Sequence, residues 1–291
     1  FTNCKKKRIK YNKIMNILIV DGNEKKASEK YTKLGMDTQY EVYTKVLRKL
    51  FNDNNLNISV IHPAIETNFI PKGLSLNDFE GIVWTGSVLN IYDATPSINR
   101  QIELAKSLLN KNNHMFGSCW GLQVLVTAAG GKIRKNPNGI EAIVAKDICI
   151  NDHGIQHPMY KGKKKIFDSF CWHYDDTEFL PQNTSVLASN LKSKIQSISF
   201  INNKSKVWAV QYHPEFDPVW MSGLMSQREN ILLELGVYKN QDEFNSYKNY
   251  FSNIEKYQNN KNLLNISESL IDSKMHSLEL LNWINYLKDQ H

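Results

Sequence analysis

His114-Met115-Phe116-Gly117-Ser118-Cys119-Trp120-Gly121-Leu122-Gln123-Val124-Leu125-Val126-Thr127-Ala128-Ala129-Gly130-Gly131 decides how the rest of the chain is read. A short apolar approach leads into Gly-x-Cys-x-Gly, and an Ala/Leu/Val helix follows until Gly130-Gly131 stops it. This is the cysteine form of a nucleophile elbow, a sharp strand-to-helix turn that lifts one side chain above a parallel sheet. Its glycines have a steric reason. The nucleophile occupies a strained backbone region, and a Cβ two residues to either side would strike the neighbouring strand or helix. Cys119 then lies at a helix N-terminus, where free N–H groups and the helix dipole favour negative charge on sulfur. Taken alone, the stretch also fits a buried cysteine at an ordinary strand–helix junction.

Upstream of the elbow, strands and helices alternate. Residues 16–20 (Asn-Ile-Leu-Ile-Val) form an apolar run closed by Asp21-Gly22-Asn23, as expected of a buried parallel strand. Val42, Tyr43, Val46, Leu47, Leu50 and Phe51 recur at helical spacing and predict a covering helix over 38–51. Residues 58–61 and 81–84 are further strands, the second running into Thr85-Gly86-Ser87-Val88-Leu89-Asn90-Ile91-Tyr92-Asp93, and a helix is expected around 97–110. This alternation specifies an α/β fold with a doubly wound, mostly parallel sheet.

Downstream the pattern turns β-rich, with strands expected at 142–150, 186–188, 195–201 and 207–212 and a hairpin turn at 202–205. The basic run 161–165 reads as a solvated loop. The last strand ends in His213-Pro214-Glu215-Phe216, and strand C-terminal ends are where active sites gather in open α/β sheets. Trp220, Leu224, Ile231 and Leu235 make one helical stripe ending near Gly236. Residues 237–291 carry broken helical patterns and read as a C-terminal helical appendage on a domain spanning 15–236. Its apolar groups at Leu263, Leu264, Ile266, Leu278, Leu281, Trp283, Ile284 and Leu287 must cover something, and packing on its own domain is expected.

The net charge of +7 looks like a nucleic-acid signal until it is located. Lys5, Lys6, Lys7, Arg8, Lys10 and Lys13 all fall in residues 1–14, which hold no acid, so the remaining body is nearly neutral. That leader reads as a disordered basic extension, with an arm for nucleic acid or a membrane surface as the sharper alternative. No apolar run approaches a membrane span. Cys4, Cys119, Cys149 and Cys171 show no C-x-x-C pair, so neither a disulfide framework nor a zinc site is expected, and a reducing cytoplasm is the natural setting.

A cysteine nucleophile needs a base, and the base needs an orienting acid. His213-Pro214-Glu215 supplies both in three residues. Together, Gly117-Ser118-Cys119-Trp120-Gly121-Leu122-Gln123 and Gln211-Tyr212-His213-Pro214-Glu215 resemble the class I (triad) glutamine amidotransferases, whose sheet is flavodoxin-like. The glutaminase domain of GMP synthetase is one such protein. The resemblance runs from about Ile17 to Phe216 and extends to stand-alone bacterial relatives with a similar helical tail. It implies that Cys119 attacks the γ-carboxamide of glutamine, that His213 shuttles the proton, and that Glu215 orients His213. No cofactor and no metal are implied.

By the same resemblance the oxyanion hole uses the N–H of Trp120 and a donor from the Gly86-Ser87 turn. The family's Gly-Gly-Pro-x-Ser-Val-Tyr-Asp loop has lost its second Gly and its Pro here. Gln123 matches a substrate-holding glutamine, although an N-terminal helix residue bonding the backbone would look the same. Cys171-Trp172-His173-Tyr174-Asp175-Asp176 stands where many members carry a Ser-His-Gly-Asp-like segment, so Trp172, His173 and Tyr174 are candidate pocket residues. For His173 a structural role is the competing reading. No Walker loop and no Ser-Gly-Gly-x-Asp-Ser loop is present, so an ammonia acceptor would be a separate synthetase subunit. The enzymatic alternative is a stand-alone γ-glutamyl peptidase or γ-glutamyl amide hydrolase. The non-enzymatic one is a silent regulatory subunit. Oligomeric state is not legible.

Overall fold

The computed structural model describes residues 14–51 and 55–290. The basic leader, apart from Ile14, lies outside the described residues. The strands are β1 (Met15–Val20), β2 (Leu56–Ile61), β3 (Gly81–Trp84), β4 (His114–Ser118), β5 (Lys132–Lys135), β6 (Glu141–Ile150), β7 (Ile166–His173), β8 (Asp175–Phe179), β9 (Thr184–Ser189), β10 (Ser197–Asn202) and β11 (Ser205–Val210). Nine of them form one sheet in the order β2-β1-β3-β4-β11-β10-β9-β6-β7, and β5 pairs with β8. The run β2-β1-β3-β4-β11 is parallel throughout. From β11 outward the pairings are antiparallel, and β10 and β11 are joined by a tight turn at 203–204.

The helices are α1 (Lys25–Lys33), α2 (Gln39–Phe51), α3 (Pro96–Leu109), α4 (Trp120–Ala128), α5 (Asp152–Gln156), α6 (Pro218–Gln227), α7 (Glu229–Glu234), α8 (Gln241–Ser252), three short turns α9 (Asn260–Leu263), α10 (Glu268–Ile271) and α11 (Ser273–His276), and α12 (Leu278–Asp289). Period-2 alternation in β1 sorts the two layers. Met15, Ile17 and Ile19 pack with Tyr43 and Leu47 of α2, while Leu18 and Val20 pack with Leu104 and Leu108 of α3 and Leu125 of α4. With both faces covered, the strand is apolar from Ile17 to Val20.

The apolar groups of the tail pack on this chain. Leu280, Trp283, Ile284 and Leu287 of α12 join the cluster of β1 and α2. The approach is close: a Cβ at Gly81 would meet Leu287 at 2.6 Å and Trp283 at 2.7 Å, so α12 lies directly over the start of β3. Phe244, Tyr250, Phe251, Ile266 and Leu270 pack with Phe170, Met221 and Leu224. Leu263 is the exception and is exposed.

Two readings need correction, and two strands went unread. Lys163, in the run expected to be a solvated loop, has a side chain only 1% exposed and pairs with Glu279 of α12 at 2.9 Å. Burial pushes its pKa down, and the Glu279 charge opposes that. The stripe over 220–235 is two helices, because Arg228 leaves helical backbone at φ −116° and Leu235 is half exposed. Residues 166–179 form β7 and β8, unmarked in sequence because buried Asp168, Asp175, Asp176 and Thr177 interrupt the apolar pattern.

Candidate active site

The elbow is tightly enclosed. Cys119 sits between β4 and α4 at φ 51°, ψ −103°, a region that L-residues rarely occupy. Its N–H donates to the Val210 carbonyl at the end of β11, at 2.8 Å. A Cβ on Gly117 would lie 2.7 Å from Gly121 C, and one on Gly121 would lie 2.5 Å from the Trp84 carbonyl oxygen. Both glycines are therefore steric requirements of the turn. Cys119 is 4% exposed, and its Sγ is 3.5 Å from the Trp172 carbonyl oxygen.

His213 arrives from the end of β11, anchored by its N–H donating to Phe170 O at 2.8 Å. Nδ1 is 2.6 Å from Glu215 Oε1, and Cys119 lies near enough to the ring to act on its titration. Phe216 stacks on the imidazole at 4.1 Å between centroids, and Trp220 stacks on Phe216 at 3.8 Å. Burial disfavours the imidazolium, but the Glu215 charge, the nearby Cys119 and the hydrogen bond to Glu215 overcome it, raising His213 to about 10. Glu215 Oε1 also accepts from Ser118 Oγ at 3.1 Å, and Ser118 Oγ meets the hydroxyl of Tyr43 from α2. Sequence reasoning missed this extension. Ser118 precedes the nucleophile and so points to the opposite side of the strand, a signal that was available; Tyr43 looked like one more apolar helix residue.

The Gly86-Ser87 loop is stiffened from outside itself. Gly86 O accepts from Asn23 Nδ2 at 3.0 Å and from Thr85 Oγ1 at 2.9 Å, and Thr85 Oγ1 accepts from Gly22 N at 2.9 Å. A trans peptide whose carbonyl is pinned in this way directs the Ser87 N–H to the opposite side. Gln101 Oε1 accepts from the indole N–H of Trp120 at 2.8 Å, fixing the residue after the nucleophile. Gly86 also faces His213: a Cβ there would lie 2.6 Å from His213 Cε1. Gly86→Ala is expected to displace the imidazole and lower kcat/KM roughly 10²-fold. The check is steady-state hydrolysis alongside a melting curve, and near-wild-type turnover would contradict it.

A cavity of about 100 Å³ opens over Cys119, lined among others by Ser87, Gln123, Trp172, Tyr174 and Arg228. Gln123 is 3% exposed. The structure corrects His173. It touches the cavity wall, but its Nε2 is 2.9 Å from Glu141 Oε2 and its Nδ1 is 2.8 Å from Asp175 O, so both ring nitrogens are engaged away from any ligand. Arg228 lies in the break between α6 and α7 and stacks its guanidinium over Trp172 at 5.6 Å. No sequence motif marked Arg228.

Comparisons with known proteins match most of the chain. The family model for glutamine amidotransferase class-I matches residues 38–225. The chain is 30% identical over 285 residues to a gamma-glutamyl-L-1-hydroxyisopropylamide hydrolase from Pseudomonas sp., with 94% of this chain and 93% of that protein covered. It is 26% identical over 175 residues to the glutamine-hydrolyzing GMP synthase of Malacoplasma penetrans, covering 60% of this chain and 31% of that synthase. The chain thus spans about a third of the synthase's length. A glutamine amidotransferase structure from Thermotoga maritima shares the fold at TM-score 0.65 and 14% identity, covering 94% of this chain and 98% of that one.

Proposed function

Because the chain belongs to the class-I glutamine amidotransferase family, we propose that it hydrolyses the γ-carboxamide of glutamine through a γ-glutamyl thioester on Cys119. The observation that carries this reading is His213, held at 2.6 Å by Glu215 beside the cysteine of a strained strand–helix elbow. Cys119 Sγ attacks the γ-carbonyl carbon. The oxyanion is met by the N–H of Trp120, which as a first-turn helix residue has no intrahelical acceptor, and by the N–H of Ser87. His213 passes a proton to the departing nitrogen, the C–N bond breaks, and ammonia leaves. Water, deprotonated by His213, then attacks the thioester and releases glutamate and the cysteine. Glu215 holds the imidazole and offsets its charge, with Ser118 and Tyr43 behind it.

Residues 15–236 carry this chemistry, and 237–291 act as a structural tail. The Pseudomonas hydrolase aligns over 94% of this chain, whereas the match to the synthase covers 60%. That difference favours a second reading, cleavage of a γ-glutamyl amide of a small amine. Delivery of ammonia to a separate synthetase subunit is the remaining possibility for a partner. No described helix is long and apolar enough to cross a membrane.

A panel of L-glutamine, γ-glutamyl amides of small amines, and γ-glutamyl dipeptides distinguishes these readings by release of ammonia or amine. Turnover of glutamine by the isolated chain at kcat above about 1 s⁻¹, the low end of ordinary enzymes, is the expected result. Faster turnover of a substituted amide would select the second reading. Release from none of them by the isolated chain would set both aside.

A further inference from the structure

The chemistry at Cys119 concerns only the γ end of a glutamyl substrate, and the α end also carries charge that the site must meet. Arg228 is the cation nearest to hand. It lines the cavity over Cys119, an adjoining one that contains His213 and Gln39, and an outer one that contains Glu24 and Gln227. Its Nε is buried and has no hydrogen-bond partner, and no ion pair engages it among the described residues. Across the same space, Gln39 is only 5% exposed, and its Oε1 also lacks a partner. The amide of Gln227 is unpartnered as well. Arg228 and Gln39 together line the cavity that adjoins the one over Cys119 and also contains Ser87, Trp172 and His213. Buried polar groups in native proteins are nearly always satisfied, so these two orphans on one cavity point to a polar ligand.

On the reading that the substrate is a γ-glutamyl compound, we infer that Arg228 is the specificity residue for its free α-carboxylate, with Gln39 Oε1 an acceptor for the α-ammonium. A guanidinium presents parallel N–H groups that match the two oxygens of a carboxylate, a fit that neither a carboxamide nor an ester reproduces. The aromatic in place of a small residue at Trp172 then has a role. Its ring is the platform that holds the guanidinium facing the cavity, at 5.6 Å. The fork is set before substrate arrives, so less side-chain freedom is lost on binding. A side chain from the α6–α7 break thus reads one end of the substrate while the elbow reads the other.

The test uses thiol-directed probes on the full chain, so that it does not depend on knowing the leaving group. The diazoketone analogue of L-glutamine, its α-carboxamide counterpart, and iodoacetamide are each reacted with the protein, and Cys119 labelling rates are read by mass spectrometry. In the native chain the diazoketone should label at least about 10-fold faster than its α-carboxamide, the order expected for charge-assisted hydrogen bonds. Arg228→Met should slow the diazoketone about 10- to 100-fold, bring its rate to that of the α-carboxamide, and leave the iodoacetamide rate within about twofold. Arg228→Lys should fall between the two and controls for misfolding. Equal labelling by both glutamine analogues in the native chain, or unchanged preference in Arg228→Met, overturns the role of Arg228 while leaving the γ-glutamyl reading in place. Labelling by iodoacetamide and by neither analogue overturns both.

Discussion

Cys119→Ala is expected to lower hydrolysis on the order of 10⁴- to 10⁶-fold. The fold should persist, because alanine keeps the small side chain the elbow needs and gives up only a sulfur that is 4% exposed. His213→Ala should lose nearly as much, since members of a catalytic unit act together and their effects do not add. Glu215→Gln should lose less, because the imidazole remains and only its orientation and charge support weaken. The glutamine diazoketone should label Cys119 and not Cys171, which is fully buried and whose thiol pKa is pushed well up by burial. Labelling of Cys171, or full activity in Cys119→Ala, would remove the assignment.

The pH dependence follows from the same geometry. The folded His213 binds its proton more tightly than the unfolded one, about 10 against 6.5. Its contribution to stability is therefore complete below about pH 6.5 and is lost as pH rises through about 10. The departing nitrogen also needs that proton, so kcat/KM should decline only as pH approaches 10. A decline centred near 7 in the free enzyme, measured by a full pH–rate profile, would show that the imidazolium is not held as described.

Among point substitutions, Lys163→Met carries the largest expected effect on stability. The Lys163 ammonium donates to Glu279 Oε2 at 2.9 Å and to Met275 O at 2.7 Å, and Glu279 is fully buried. Removing the lysine leaves a buried carboxylate without its counter-charge, a change that typically destabilises by roughly 3–5 kcal/mol. Glu279→Gln should be milder, since its amide can still accept from Tyr212 Oη, now 2.8 Å from Glu279 Oε1. Tyr212 precedes His213, so Lys163→Met should also reduce turnover at temperatures where the protein remains folded. Deleting 237–291 removes Glu279 together with Leu280, Trp283 and Leu287, and should unfold the domain rather than dissociate an assembly. Thermal melts of the three variants check this order. A Lys163→Met melting temperature within a degree of the parent would mean that the pair contributes nothing.

The parallel half of the sheet was legible in residues because its strands are buried on both faces and so carry compact apolar runs, as at 17–20 in β1 and throughout β3. The elbow was legible because sterics leave few residue types for it: Gly117 and Gly121 admit no Cβ, and the pattern is local in sequence. His213 and Glu215 were legible for the same reason, being two residues apart on one turn. What the sequence determined by itself is therefore the central parallel strands and the identity of the groups proposed for the chemistry. The tertiary structure decided everything that depends on contacts distant along the chain. Asn23 and Thr85 stiffen a loop whose own glycine and proline are missing, a compensation visible only once β1 and β3 are side by side. His173 is drawn to Glu141 by the pairing of β6 with β7. Lys163 reads as solvated in any local window, and is buried because α12, more than a hundred residues away, lays Glu279 against it. Arg228 faces the cavity because a helix breaks there, and the break follows from packing that no short-range pattern records. Local sterics and strand burial act on neighbours in sequence and leave residue-type marks, whereas charge pairing and loop support between distant segments leave none until the chain has folded.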